Sequence, residues 1–386
     1  MPDTLHVDVA VIGGGIGGIS VASELALDRS VVVIEAEREP GLHATGRSAA
    51  SYVPSYGPPM VRRLTAASLP DFDALSDEVG RPLLTARPVL YVADAARVPA
   101  LARILVAQRG GPVREISVSD ALHLCPVLRP DVLVRTAIDE SASDLDVAGV
   151  LEAFAARLRA RGGRIVLGGR VTSIRRGLTT WTVQAGPTLV VAGEVVNAAG
   201  AWADPVARLA GLPSLNIQPR RRSIFLARSL QVRPPAGWPF TLAADETFYF
   251  KDEGESVLVS PADATPVEPH DARPDELQIA RAIEAVNRMT TLGIRSVAQS
   301  WAGLRSFAAD GEPVVGGLDR GEGFHWVAGQ GGYGLQMAPA LARLAAAVIR
   351  GEAIPADLAA VGVDAHALAP ARLLRGSRGG NRAAAG

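Results

Sequence analysis

The stretch Val7–Gly18 narrows what this chain can become more than any other. Val7-Asp8-Val9-Ala10-Val11-Ile12 reads as a buried apolar strand, and Gly13, Gly15 and Gly18 then set out G-x-G-x-x-G around Ile16. A helix is expected to follow over Ile19–Leu27. The glycines allow a tight turn, let the backbone approach a pyrophosphate, and let helix and strand pack closely. The free N–H groups and the dipole at the helix start favour the negative charge of that pyrophosphate. A second strand, Ser30–Ile34, ends in Glu35-Ala36, about 20 residues past the glycines, where an acid can bind ribose hydroxyls. Strand, glycine turn, helix and acid in that order point to a dinucleotide site.

The rest of the composition excludes other classes. A chain of 386 residues can hold a large core and two domains. Its formal net charge of -1 points to neither nucleic acid nor an anionic membrane surface. Cys125, the one cysteine, rules out an internal disulfide and a cysteine-based metal site, and no metal is expected. No apolar run reaches the length of a membrane span, because glycines and polar residues break Val7–Leu27. Six residues before the first strand leave no room for a signal peptide, so the expectation is a cytoplasmic protein.

Further along, residues 38–50 form a loop rich in small side chains, Thr45-Gly46-Arg47-Ser48-Ala49-Ala50 among them, with a helix start expected at Ser48. Such a loop lets a flat ring lie against the backbone. Helix is expected over Val61–Leu75, Ala100–Gln108 and Ser119–Leu124, and strand over Leu83–Val92, where Pro88 suggests an edge or bulge. Asp146 is a good N-cap for a helix over Val147–Arg161 that Gly162-Gly163 closes. Short strands follow from Arg164 and Val171, then Glu194–Trp202 returns to the first sheet with Ala199, Gly200 and Trp202 at its end. A second β-rich region opens at Asn216, and Asp275–Met289 is an amphipathic helix. Gly329–Gly334 leads into a helix expected from Leu335 to Arg350, a second positive dipole end. The Arg/Gly/Ala-rich tail from Arg372 to Gly386 lacks an apolar period and is expected to be flexible.

Several blocks together resemble the D-amino-acid oxidase superfamily of FAD enzymes, most closely its bacterial D-arginine dehydrogenase branch. They are Gly13–Gly18, Thr45–Ala50, Gln218-Pro219-Arg220-Arg221-Arg222-Ser223, Phe248-Tyr249, Trp301–Phe307 and Gln330–Gly334, in family order over nearly the whole chain. The resemblance implies FAD rather than NAD and an α/β (α+β) fold. In that fold a Rossmann-like FAD-binding domain (1–51, 145–217 and 300–371) is interleaved with a substrate domain (52–144 and 218–299) built on a large mixed β-sheet. It also implies the reaction: hydride passes from the Cα of a D-amino acid to flavin N5, and the imino acid hydrolyses to a 2-oxo acid and ammonia. The partner is a small amino acid or amine, and the electron acceptor is not written in the sequence.

The same resemblance assigns roles. Arg222 and Arg305 would hold the substrate carboxylate, for which a rigid guanidinium fork is well matched. Strand alternation puts Arg220 and Arg222 on one face and Arg221 on the other, and Arg220 and Arg221 are expected to be solvated or paired with acids. Tyr56 and Tyr249 would line the pocket, with Gly332 and Gln336 near the substrate amine and the flavin. Cofactor contacts fall on Gly13, Gly15, Ile16, Gly18, Glu35, Ala36, Thr45, Arg47, Ser48, Ala49, Ala50, Val171, Ala199, Gly200 and Trp202. The C-terminal blocks add Gly303, Arg305, Gly331, Gly332, Tyr333, Gly334 and Gln336. His43 matches a position where some relatives attach flavin covalently; the non-covalent reading is taken. No side-chain base for the substrate ammonium is evident.

Three pocket positions depart from the D-arginine branch. Val89 stands where that branch has an acid for the guanidinium, Ser51 replaces a histidine and Val53 a threonine. Losing a buried partner for a cation costs about 2–5 kcal/mol, so neutral, apolar D-amino acids are expected as substrates. Lys251, the one lysine, lies too early to match the oxygen-activating lysine of sarcosine-oxidase relatives, which tilts the reading toward a dehydrogenase. Oxidation of secondary amines such as sarcosine or proline, or tailoring of a larger amino-acid-derived substrate, are the alternatives.

Overall fold

The apolar opening forms a strand, Thr4–Ile12, whose last four residues are buried, as a strand covered on both faces requires. The computed structural model describes residues 4–228 and 237–375. Helix Ile16–Leu25 begins three residues before the expected start, because Gly15 is its N-cap and Gly17 and Gly18 enter its first turn. Strands Val31–Ile34 and Thr188–Asn197 flank Thr4–Ile12 in parallel, and Arg164–Val166 extends the row beyond Val31–Ile34. Phe324–Ala328 joins in parallel at Val195–Asn197, so start, middle and end of the chain meet in one sheet. Helices Ile16–Leu25, Val147–Ala160 and Ala338–Arg350 share one apolar core against this sheet. Asp146 caps the second of these as expected, accepting from the Gly149 N–H.

A ten-stranded mixed sheet carries the other side of the molecule. Its centre is Gln218–Ala227, paired antiparallel with Val297–Phe307 along its length. Beyond it lie Ser256–Ser260, Tyr249–Glu253, Phe240–Ala243, Val89–Ala93, Arg135–Asp139 and Val113–Ile116. Alternation sorts its residues cleanly. Leu90, Val92, Phe225, Phe250, Val257 and Val259 turn to a core with helix Glu276–Met289, while Val89, Tyr91, Ile224, Leu242 and Tyr249 turn the other way. Each such fully buried aliphatic or aromatic side chain contributes about 1.5–3 kcal/mol.

Several expectations need correction. No helix starts at Ser48: Ala50 has φ 56°, its N–H donates to the Ser48 hydroxyl, and the chain enters a short strand, Ser51–Tyr52. Val61–Leu75 is two helices, Pro59–Ala67 and Leu69–Val79, because Pro70 begins a new first turn. Pro88 is neither edge nor bulge but separates Leu84–Ala86, in a small three-stranded sheet, from Val89–Ala93 in the large one. The last long helix begins at Ala338 rather than Leu335, since residues 332–337 form an irregular turn ahead of Pro339. Strand Val297–Phe307 lies whole in the second sheet, which also takes up Gln330–Gly331, so the segment from residue 300 on contributes to both sheets. The tail is ordered further than expected: Ala371–Arg375 is helical, and Arg372 is held by both carboxylate oxygens of Asp310. Residues 376–386 of that tail lie outside the described residues. Among the described residues, no helix is long and apolar enough to cross a membrane, and no group of three metal-ligating side chains forms.

Candidate active site

The carboxyl ends of the parallel strands and the inner face of the ten-stranded sheet enclose a cleft of about 410 Å³. Clefts at this end of parallel sheets are where open α/β folds bind ligands. One half of it is built around close-packed glycine backbone. Gly13 has φ 114° and lies so close to the Ala198 carbonyl that a Cβ would overlap it. A Cβ at Gly18 would overlap the Gly13 carbonyl oxygen, so this glycine serves helix–strand packing and does not itself line the cleft. Glu35 accepts from the N–H groups of Gly14 (2.6 Å) and Glu37 (2.8 Å), tying the second strand's end to the glycine turn. The Thr45 hydroxyl takes the Ile16 N–H at 3.1 Å, joining the small-residue loop to the helix start. This bare-backbone channel, continuous with a pocket that holds an unpartnered buried phenol, fits an elongated dinucleotide cofactor.

The other half is made of side chains. Arg222 and Arg305 both line it, from paired strands in which Arg222 lies opposite Gly303. Among the described residues, neither arginine forms an ion pair with a carboxylate. Burial, and then the like charge of Arg305, lowers the Arg222 pKa. Gly332 makes room for this arrangement: a Cβ there would sit 2.8 Å from the Arg305 Cζ. Tyr249 is buried, its ring stacked on Phe240 at 4.8 Å and its hydroxyl without a partner among the described residues. Tyr56 donates to Glu246 at 3.1 Å, and burial, with that carboxylate, raises its pKa. Ser51, Val53, Val89, Ile224, Phe240 and Leu242 complete a mostly apolar wall.

The expected site residues are brought together with few exceptions. Ala36, Thr45, Arg47, Ser48, Ala49, Ala50, Val171, Ala199, Gly200, Trp202, Gly303, Gly331 and Gly334 all line the cleft. Tyr333 does not; its ring packs edge-on against Tyr56 (5.4 Å) and Phe307 (6.3 Å), behind the surface. Gln336 lines it, but both polar atoms are committed, accepting from Val53 N–H at 3.2 Å and donating to Thr65 Oγ1 at 3.0 Å. Arg47 likewise spends its guanidinium on Ala302 O (3.0 Å) and Asp271 (2.7 Å). His43 lines the cleft with Nε2 3.1 Å from Glu37 and its ring 4.8 Å from Trp202. Arg220 is exposed over the Phe307 ring, and Arg221 pairs with Asp263 and Asp275. Lys251 is buried against Asp144 at 2.9 Å, away from the cleft.

Sequence reasoning missed several wall residues, Tyr91, Ile224, Phe240, Leu242 and Glu246 among them. Tyr91 shares a face with Val89 by strand alternation and was within reach of that argument. Glu246 gave no sequence signal; it sits in a tight turn with φ 57°, a conformation that favours small or glycine residues.

Comparison with known proteins agrees with this geometry. The bovine (Bos taurus) FAD-dependent oxidoreductase domain-containing protein 1 is 30% identical over 179 residues, which are 40% of this chain and 35% of that protein. The match therefore spans about a third of that relative's length. The structure of L-proline dehydrogenase from P. horikoshii superposes with a TM-score of 0.79 at 20% identity, covering 97% of this chain and 99% of the other. Glycine oxidase from Geobacillus kaustophilus gives 0.80 at 21% identity, covering 93% and 99%. The model of the FAD dependent oxidoreductase family, DAO, matches residues 8–348, and the chain belongs to that family of FAD-dependent enzymes.

Proposed function

We propose that the chain oxidises the Cα–N bond of a free D-amino acid with a neutral, apolar side chain, as a dehydrogenase. The observation that carries this is the pair Arg222 and Arg305: two guanidiniums, with no carboxylate of their own among the described residues, at one end of an apolar pocket. Burying two like charges together is costly, and a bound carboxylate relieves that cost. The fork of each guanidinium then fixes the carboxylate's plane, leaving the Cα–N bond one orientation. FAD, when bound, supplies the hydride acceptor. Tyr249, whose hydroxyl has no partner among the described residues, can donate to the same carboxylate. Tyr56, held by Glu246, closes over the substrate. Val53, Val89, Ile224, Phe240 and Leu242 would face the side chain, and the valine at 89 supports the preference for apolar substrates. The D configuration rests on the order of the sequence blocks that resemble the D-amino-acid enzymes.

Steady-state kcat/KM with an artificial electron acceptor tests the reading across D-leucine, D-valine, D-arginine, N-methylglycine and proline. D-Leucine or D-valine should exceed D-arginine by at least tenfold. D-Arginine as the best substrate would overturn the side-chain assignment. Turnover of the secondary amines alone would overturn the primary-amine reading.

A further inference from the structure

Strand Gln218–Ala227 has a gap on one side. Phe225–Ala227 pair with Val257–Val259 and Arg220–Arg221 pair with Thr265–Pro266, but Arg222, Ser223 and Ile224 between them have no ladder partner there. The chain that should supply one arches away through residues 261–264, with Ala262 at φ 50°. Asp263, on this arch and almost fully buried, fills the gap with its side chain. Its carboxylate accepts the Ser223 N–H at 2.6 Å and the Ser223 hydroxyl at 3.1 Å, and pairs with Arg221 Nε at 3.3 Å. An orphaned buried N–H would otherwise destabilise the strand. With the arch pinned there, the Asp263 main-chain carbonyl meets Arg222 Nε at 2.7 Å.

We infer that Asp263 is the positioning residue for the Arg222 fork, an inference that rests on the proposed role of Arg222 in binding the substrate carboxylate. Which part of Asp263 meets which arginine decides the argument. The carboxylate is spent on Ser223 and on Arg221, which points to the other face of the strand. Among the described residues, the hydrogen bond that Arg222 donates ends on a neutral carbonyl, and the Asp263 carboxylate acts on that guanidinium only through space. A carboxylate hydrogen-bonded to Arg222 would compete with the substrate for its donors, whereas a carbonyl on Nε fixes the guanidinium plane and leaves both Nη groups available. The freedom of a long side chain is thus removed before the substrate arrives.

The test is a double-mutant cycle on the intact, FAD-loaded protein, read by calorimetric titration with 2-methylpropanoate, a branched carboxylate with no amine to oxidise. Asp263→Ala should weaken its Kd at least tenfold. Asp263→Asn, which keeps an acceptor for the Ser223 N–H, should weaken it less, about threefold, a partial loss set by the charge-assisted part of that bond. Arg222→Met should weaken it more than either, and adding Asp263→Ala or Asp263→Asn to Arg222→Met should change Kd by less than twofold. A Kd within twofold of the parent for folded Asp263→Ala, or a full tenfold loss that persists on the Arg222→Met background, would overturn the inference while leaving the Arg222 reading intact. No loss in Arg222→Met alone would overturn both. If Asp263→Ala does not fold, the Asp263→Asn arm decides: a Kd unchanged from the parent, or a threefold loss that persists in full on the Arg222→Met background, would overturn the inference.

Discussion

The two halves of the cleft, one proposed for the cofactor and one for the substrate, are built by opposite means. The cofactor half is backbone: Gly13, Gly15 and the small-residue loop present peptide groups held by contacts between residues near in sequence or in one sheet. The substrate half is side chain, and its groups come from far apart, Tyr56, Val89, Arg222, Glu246, Tyr249 and Arg305 among them. A backbone site fails when a side chain is added. A side-chain site fails when one is removed or displaced. That contrast orders the expected effects of substitution.

The largest effect belongs to the cradle. Gly18→Ala places a methyl group onto the Gly13 carbonyl, where only backbone could move. The protein is expected to be recovered without flavin and with a markedly lower Tm, measured by the 450-nm absorbance region and by thermal denaturation; a flavin-loaded variant of parental Tm would break the comparison. Next comes Arg305→Met. Two charge-assisted bonds of about 1.5–3 kcal/mol each correspond to a loss of roughly a hundredfold to ten-thousandfold in kcat/KM. Flavin content should be unchanged, since the fault lies in the other half. A subtler substitution joins the two modes: Gly332→Ala adds a methyl 2.8 Å from the Arg305 Cζ. It should lower kcat/KM by about tenfold, the 1–3 kcal/mol scale of overpacking, chiefly through KM, with FAD retained.

The halves also differ in how far they could be read from the sequence. The strand, glycine turn, helix and acid lie within 30 residues, and their geometry follows from local rules, so the order of elements was legible and only their bounds shifted by a few residues. Arg222 and Arg305 were identified through family resemblance, and their facing on one pocket depends on an antiparallel register between strands some 80 residues apart. No local pattern encodes that register. Glu246 was invisible for the same reason, as was the commitment of both polar ends of Gln336 to Val53 and Thr65. The role of Arg47 also changed on folding: the loop position was right, but its guanidinium ties the loop to Asp271 and Ala302.

The smallest expected effect concerns Glu312, whose carboxylate accepts the Met60 N–H at the start of helix Pro59–Ala67. Burial raises its pKa, although the Met60 and Val61 N–H groups pull it down. A carboxyl raised on folding contributes stability that is full below its unfolded pKa and lost as pH climbs through the folded value. Glu312→Gln cannot ionise, so its Tm relative to the parent should rise from pH 4 toward neutrality and then level, by about 1–2 °C for a chain of this size. A difference that does not change with pH would show that Glu312 is not ionising in a buried setting.

The central claim is that Arg222 and Arg305 present a free amino acid's Cα–N bond for oxidation in an apolar, D-selective pocket. Anaerobic mixing of the flavin-loaded protein with matched D- and L-isomers of leucine, valine and phenylalanine tests it most directly, followed as bleaching of the flavin band. The account predicts fast bleaching by the D-isomers, none by the L-isomers, and loss of the D response in Arg305→Met. Bleaching by L-isomers, or by none of the six while N-methylglycine or proline bleaches the band, would contradict it.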